Sequence, residues 1–139
     1  MSKYLEKLRN CRLAIKQNGG IIGAYLQLFR TDELKYGNHI GTDKYGNKYY
    51  ENKSYFVARS RWIDYAPKYG YDFDGSQVPA DWHRWLHYMT DDPPTKVKPC
   101  PDREWMTDHE ENLSGTTGQY VPYSTVTPKI HSWNPPKNN

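Results

Sequence analysis

The sequence predicts an α+β fold, with an N-terminal amphipathic helix, a short antiparallel β-meander, one covering helix and a long extended C-terminal tail. Three observations lead to this prediction. Apolar residues recur at helical spacing near the N-terminus. Strand-forming runs separated by turn residues occupy residues 37–65. Eight of the ten prolines lie in residues 91–139, where helical and strand periodicity are both absent.

The first helix is predicted within residues 1–18. The apolar side chains that share one face at helical spacing are Tyr4, Leu5, Leu8, Cys11 and Ile15. Five Lys and Arg residues oppose the single Glu6, so the segment carries 5 − 1 = +4 charges. This pattern is typical of an organellar import signal, of a helix on an anionic membrane surface, or of an ordinary surface helix. Within this N-terminal segment (1–36), Leu5, Leu8 and Ile15 are predicted partner contacts.

A second short helix is predicted from Ile21 to Phe29. The preceding residues 18–20 (Asn-Gly-Gly) end the first helix, because Gly adopts the left-handed conformation that closes helices. Gly23 and Ala24 are small enough to permit a close backbone approach.

A β-meander plus a helix is predicted for residues 37–92. The strands are expected at residues 39–42, 48–51 and 59–65, and the turn at residues 43–47 contains Gly46, which tolerates a positive φ. Aromatic and β-branched residues favour such half-buried strands. Three strands with few aliphatic residues need a cover.

The covering helix is predicted to start at Pro79, which is tolerated in a first helical turn. Its apolar face contains Trp82, Trp85, Leu86 and Met89 at i, i+3, i+4 and i+7. Residues 91–94 (Asp-Asp-Pro-Pro) are expected to end it.

The tail, residues 93–139, has isolated aromatic residues: Trp105, Tyr120, Tyr123 and Trp133. One interpretation is a disordered tail. The other is an extended strap that wraps partner subunits and inserts its aromatic side chains into successive pockets. The spaced aromatics favour the strap, because disordered segments usually lack them.

The composition indicates that the chain packs against another molecule, which completes its apolar core. Leu, Ile, Val and Phe number only 22 of 139 residues, whereas Tyr and Trp number eighteen and the net charge is only +3. Tyr and Trp suit interfaces because they bury apolar faces while retaining a polar group. The length allows one domain at most, and the mean hydropathy of −1.03 argues against a membrane span.

The sequence offers little catalytic chemistry. His83 and His87 have the spacing of a two-ligand metal site, but Arg84 stands where a zinc hydrolase motif needs Glu. Asp72 and Asp74 are expected to cap turns. Cys100 lacks a basic neighbour that would activate its thiol. The sequence leaves two alternatives for it, a disulfide with Cys11 or a free thiol. We therefore predict no catalytic, cofactor-binding or metal-binding residue, and no enzyme activity.

Binding of single-stranded nucleic acid is the alternative from another class. Basic residues interleave with tyrosines along residues 44–61, a pattern that stacks bases. Asp43, Glu51 and Asp64 lie in the same segment and weaken its positive field.

Six stretches, in order along nearly the whole chain, carry a family resemblance: residues 23–32, 41–51, 61–62, 82–94, 120–125 and 128–130. Together they resemble the alpha-subcomplex accessory subunit 12 family of mitochondrial NADH:ubiquinone oxidoreductase, respiratory complex I. The most specific stretches are residues 43–51 and 82–94. A related assembly factor resembles the chain around residues 44–51 but lacks the 82–94 block in this form and the 120–130 tail, so the mature subunit is favoured.

The resemblance implies a non-catalytic accessory subunit without a cofactor, which stabilises the matrix arm of complex I and its assembly. It implies a peripheral place on the matrix side of the mitochondrial inner membrane, with peripheral contact with the membrane. It also implies that the partners are the ferredoxin-like subunit carrying two 4Fe-4S clusters and neighbouring accessory subunits, with no nucleic acid. Beside this, we predict that the aromatic contacts to partners are Trp62, Trp82, Trp85, Tyr120, Tyr123 and Trp133.

Overall fold

The computed structural model describes residues 3–97, 101, 103–123, 125–126 and 129–133. The helices and strands are α1 (Lys3–Gln17), α2 (Gly20–Thr31), β1 (Asn38–Thr42), β2 (Lys48–Glu51), β3 (Arg61–Asp64) and α3 (Ala80–Leu86). Short 3-10 turns occupy Val57–Arg59, Pro67–Tyr69 and Gly75–Gln77. The architecture is α+β, as predicted. No helix within the described ranges combines the length and the apolar character that crossing a membrane requires.

The helices α1 and α2 pack against each other through small residues. Ala14 and Ala24 are their buried side chains. A Cβ on Gly23 would lie 1.9 Å from the Asn18 carbonyl oxygen, so only glycine fits there. The connection passes through Gly19 and Gly20 with φ of 81° and 84°, values that L side chains rarely adopt. The second helix is longer than predicted, since it continues two residues past Phe29 to Thr31.

The three strands form an antiparallel sheet in the order β1-β2-β3. Tyr49 opposes Ile63 and Tyr50 opposes Trp62, so the two faces of the sheet carry different aromatic residues. The predicted first two strands are confirmed, with β1 beginning one residue early. The third was predicted to begin at Arg59 but begins at Arg61, because residues 57–59 form a 3-10 turn instead.

The core lies between one sheet face and α3. Tyr49, Val78, Trp82 and Trp85 are its buried members. The Tyr49 and Trp82 rings are stacked, with centroids 4.0 Å apart and planes at 8°. A Cβ on Gly41 would lie 2.8 Å from the Trp82 ring, so the helix approaches the sheet closely at this glycine. The helix α3 therefore covers one face of the sheet, as predicted.

The predicted place of Met89 on the apolar face of this helix is wrong. Tyr88, two residues after the end of the helix, adopts a φ of 59°, and the Met89 N–H donates to the Arg84 carbonyl at 3.1 Å. This closure ends the helix at Leu86 and turns the chain away, so Met89 is 67% exposed.

Arg61 joins the sheet to the end of α3. Its Nη1 donates to the carbonyls of Trp85 and Thr90, both at 2.8 Å. Its Nε pairs with Glu51 at 3.1 Å, and its guanidinium lies over the Trp85 and Tyr88 rings. The 82–94 stretch therefore supplies carbonyls and rings that hold a nearly buried arginine.

Candidate partner-docking surfaces

The first candidate surface is the apolar face of α2. Its members are all more than half exposed: Ile21, Ile22, Tyr25, Leu26 and Phe29. They cover an arc of roughly 140°, since each residue turns an α-helix by about 100°. Residues 20–29 contain no charged side chain. An exposed apolar surface of this width is typical of an interaction site.

The helix α1 adds apolar and basic residues beside this face. Of its predicted contacts, Leu5 is 57% and Leu8 is 67% exposed, whereas Ile15 is half-buried. All five basic side chains of the helix are exposed: Lys3, Lys7, Arg9, Arg12 and Lys16.

Polar contacts fix this helix pair to the rest of the chain. The side-chain amide of Gln17 exchanges two hydrogen bonds with the backbone of Gly37, both at 2.9 Å. Arg30 Nη2 donates to the Tyr65 carbonyl at 3.0 Å, and its guanidinium lies over the Phe73 ring. These contacts leave the apolar face of α2 uncovered, which makes it available to a partner.

The sheet face opposite α3 carries the second candidate surface. Tyr50 and Trp62 stack with ring centroids 5.8 Å apart, and Tyr55 meets the Trp62 ring edge-on. Trp62, a predicted contact, is half-buried here. The face borders a groove of about 410 Å³ between the helix pair and the sheet.

The charges of this groove weigh against nucleic acid. Lys35 and Lys48 line it together with Glu33 and Asp64, and Lys35 pairs with Glu33 at 2.8 Å. Burial lowers the pKa of Lys35. Arg61 belongs to the basic pattern of residues 44–61, but its side chain is nearly buried. Its guanidinium already bonds to two backbone carbonyls and to Glu51. The field along this face is therefore mixed in sign.

Trp82 and Trp85, two further predicted contacts, lie in the chain's own core. They are 6% and 1% exposed, and their rings meet at 89°. Contact of either ring with a partner stays an untested prediction, whereas their packing on Tyr49 accounts for their helical spacing.

The tail is the third candidate surface. Its predicted contacts Tyr120, Tyr123 and Trp133 are 83%, 89% and 81% exposed, and Trp105 is equally exposed. Sequence reasoning missed His109, whose backbone and ring both contact the body of the chain. Nothing in the pattern around this residue signals such a contact.

The residues considered for chemistry have simpler roles. The Asp74 carboxylate accepts from the backbone of Ser76 and belongs to a capping box with Gln77, so its predicted role in capping a turn is confirmed. Hydrogen bonds from Ser76 lower the pKa of Asp74. The His83 and His87 rings lie 4.1 Å apart. The described part of the chain contains no group of three or more His, Cys, Asp or Glu residues placed to hold a metal ion.

Only the first of the two cysteines lies in the described part of the chain. Cys11 is exposed on α1. Cys100 lies outside the described residues. The pairing that the sequence leaves open therefore stays untested.

Comparison with known proteins identifies a family. The family model described as NADH ubiquinone oxidoreductase subunit NDUFA12 matches residues 37–135. The chain is similar to NADH dehydrogenase [ubiquinone] 1 alpha subcomplex subunit 12 of Bos taurus, at 48% identity over 96% of each chain. Its identity to the Mus musculus protein of the same name is 44%, again over 96% of each.

A related protein matches less of the chain. NADH dehydrogenase [ubiquinone] 1 alpha subcomplex assembly factor 2 of Homo sapiens is 30% identical over 49% of this chain and 44% of its own length.

Proposed function

The chain belongs to the NADH ubiquinone oxidoreductase subunit NDUFA12 family, and from this premise we propose that it is a non-catalytic accessory subunit of mitochondrial complex I. It stabilises the matrix arm and its assembly, and it supports electron transfer from NADH to ubiquinone without redox chemistry of its own. The observation that carries the proposal is the match to a named subunit over 96% of both chains.

The mechanism that we propose is burial of exposed apolar and aromatic side chains on neighbouring subunits. The helix pair (within residues 1–36), the body (37–92) and the tail (93–139) have separate tasks in it. The body folds on its own core, and the other two segments dock. The exposed anchors are Leu5 and Leu8 on α1, the apolar face of α2, and Tyr120, Tyr123 and Trp133 in the tail. Removal of such side chains from water is the largest favourable contribution to association.

We also propose a position for the subunit. It lies on the matrix side of the inner membrane, peripheral to it, and contacts the ferredoxin-like subunit with two 4Fe-4S clusters and neighbouring accessory subunits. Five exposed basic side chains on α1 beside the uncharged apolar face of α2 support a place next to anionic lipid.

An assembly factor of the same family is the second candidate function. The match to assembly factor 2 favours it but covers only half of this chain. It leaves the subunit as the better-supported role.

Native gel electrophoresis of mitochondria separates the two roles. In cells that lack the endogenous chain and express a tagged copy, we expect the tag to comigrate with fully assembled, active complex I. A tag found only with assembly intermediates would support the assembly factor instead. A tag that comigrates with neither would contradict membership of the complex.

A further inference from the structure

The tail returns to the body of the chain at His109. The His109 carbonyl accepts two hydrogen bonds, from Lys44 Nζ at 2.8 Å and from the Tyr45 hydroxyl at 2.5 Å. These donors come from the turn between β1 and β2, which is 64 or 65 positions away in the sequence. The contact is therefore tertiary and not a local turn of the tail.

The His109 side chain and a following amide make two further contacts, both to Ser76. His109 Nε2 lies 2.7 Å from the Ser76 carbonyl oxygen, so this nitrogen carries a proton and donates. The Asn112 N–H donates to Ser76 Oγ at 2.9 Å. The Tyr45 and His109 rings also meet edge-on, with centroids 6.0 Å apart. We call residues 109–112 the tail clasp.

The receiving side of the clasp is held in place by a buried polar network. The Asp43 carboxylate accepts from the backbone of Tyr45 and of Asn47, each at 2.9 Å. Asn47 is fully buried and bonds to the Gln77 carbonyl at 3.0 Å. The turn and the Ser76 segment therefore form one receptor for the tail.

The clasp also falls where the charge of the tail changes. Residues 101–112 contain five acidic residues and one arginine, hence 1 − 5 = −4 charges, whereas residues 113–139 contain two lysines and no acidic residue. Lys44 and Lys68 both lie 5.2 Å from the centre of the Tyr45 ring, beside the acidic part. Charge therefore favours holding the acidic part on this basic patch and leaves the distal part neutral to basic.

We propose that the tail clasp divides the tail into an acidic part held on the chain's own body and a distal part, residues 113–139, that docks on a partner. The partner is a protein surface with apolar pockets in neutral or acidic surroundings, which suits the exposed Tyr120, Tyr123 and Trp133. This inference rests on the proposed function, because it specifies how the tail meets a neighbouring subunit.

The clasp changes how far the distal part reaches. Tyr120 lies eight positions after Asn112, whereas it lies 23 positions after Val97, near the start of the tail. At about 3.3 Å per extended residue, the clasp shortens the reach of Tyr120 from roughly 76 Å to roughly 26 Å. Effective concentration falls approximately as the −3/2 power of linker length, so the clasp raises it about fivefold.

Protease digestion of the free full-length protein tests the clasp. A glutamate-specific protease cleaves after Glu110 and Glu111 within the clasp and after Glu104 outside it. In His109→Ala we expect cleavage after Glu110 and Glu111 to accelerate about tenfold relative to Glu104, because the ring's hydrogen bond is lost. His83→Ala, at an exposed histidine on α3 away from the clasp, is the matched control. Equal relative cleavage in His109→Ala and wild type would overturn the clasp.

Competition between variant and wild-type chains for incorporation into complex I tests the role of the clasp. A tagged His109→Ala chain is co-expressed with wild type in cells lacking the endogenous chain, and the ratio of the two in the assembled complex I band is measured. We expect the variant to be depleted about fivefold, and His83→Ala, which lies on none of the candidate docking surfaces, not to be depleted. If proteolysis shows that the clasp of His109→Ala is open and this variant still incorporates as well as wild type, the proposed division of the tail is overturned. Failure of wild type itself to enter the complex would instead overturn the proposed function and leave the clasp standing.

Discussion

Tyr49 combines packing and polar bonding at a single residue. Its side chain is fully buried, its ring stacks on Trp82, and its hydroxyl donates to Asp43 Oδ2 at 2.8 Å. Burial, followed by the hydrogen bond to the negative Asp43 carboxylate, raises the pKa of Tyr49 far above its usual value. The folded state therefore holds this phenol neutral where the unfolded chain ionises.

We predict that Tyr49→Phe destabilises the free protein by about 1.5 kcal/mol at pH 7, because a hydrogen bond to a charged acceptor is lost. The wild type also loses stability above the unfolded pKa of 10.0, where the unfolded state releases a proton that the folded state retains. This loss reaches about 1.4 kcal/mol per pH unit for one group, and the variant lacks it.

Urea unfolding at pH 7 and pH 10.5 measures both effects. Tyr71→Phe, at a tyrosine 66% exposed, is the control and is expected to behave as wild type. Burial also raises the pKa values of Tyr50 and Tyr65, so the pH dependence of Tyr49→Phe is reduced and not abolished. An undiminished loss of stability in Tyr49→Phe at pH 10.5 would contradict the role of this phenol.

Local chemistry decides which individual residues were predictable. Asp74 caps its turn and Gly46 adopts a φ of 90°, both as expected from residue type. The contact of His109 was not predictable, because it depends on a turn 65 positions away and the flanking residues have no periodicity. Met89 was placed wrongly because a positive φ at a non-glycine residue, Tyr88, has no clear sequence signal.

At the scale of elements, sequence patterns placed each helix and strand of the described residues but not every end. One of the ends that differ coincides with a tertiary contact. The strand β3 starts late after a 3-10 turn, and Ser60, at the end of that turn, bonds through its hydroxyl to the Tyr88 hydroxyl at 2.6 Å. Sequence periodicity also did not predict that the apolar face of α2 is exposed, since an apolar helix is equally consistent with a buried position. Only the structure leaves that face uncovered.

We predict that Ile21→Ser together with Ile22→Ser reduces incorporation into complex I without destabilising the free chain. Both side chains are at least 77% exposed, and Ile and Ser have similar helix propensities. Thermal unfolding of the free protein should shift by less than about 2 °C, because exposed substitutions change stability little. Native gels should show at least about tenfold less tag in the assembled complex, the effect of losing a single 1.4 kcal/mol contact.

Met89→Ser provides the matched control for this experiment, because Met89 is equally apolar and 67% exposed but lies at the end of α3. It should incorporate as wild type does. Normal incorporation of the double variant would remove the α2 face from the docking surfaces.

For the whole molecule, the composition has a structural explanation. Few aliphatic residues suffice because the core is built mainly from three aromatic rings, those of Tyr49, Trp82 and Trp85. The remaining large apolar side chains lie mostly on the helix pair and the tail, where they are exposed in the isolated chain. A chain with so much uncovered apolar surface is completed by partners.

Solvent labelling of the chain, free and within purified complex I, tests this completion most directly. Hydroxyl-radical footprinting read by mass spectrometry reports the side-chain exposure of Ile22, Tyr25, Tyr120, Tyr123 and Trp133. Burial on neighbouring subunits predicts that labelling of these residues falls severalfold in the complex, while the already buried Trp85 is unlabelled in both states. Equal labelling of the α2 face and the distal tail in the two states would contradict docking through these surfaces.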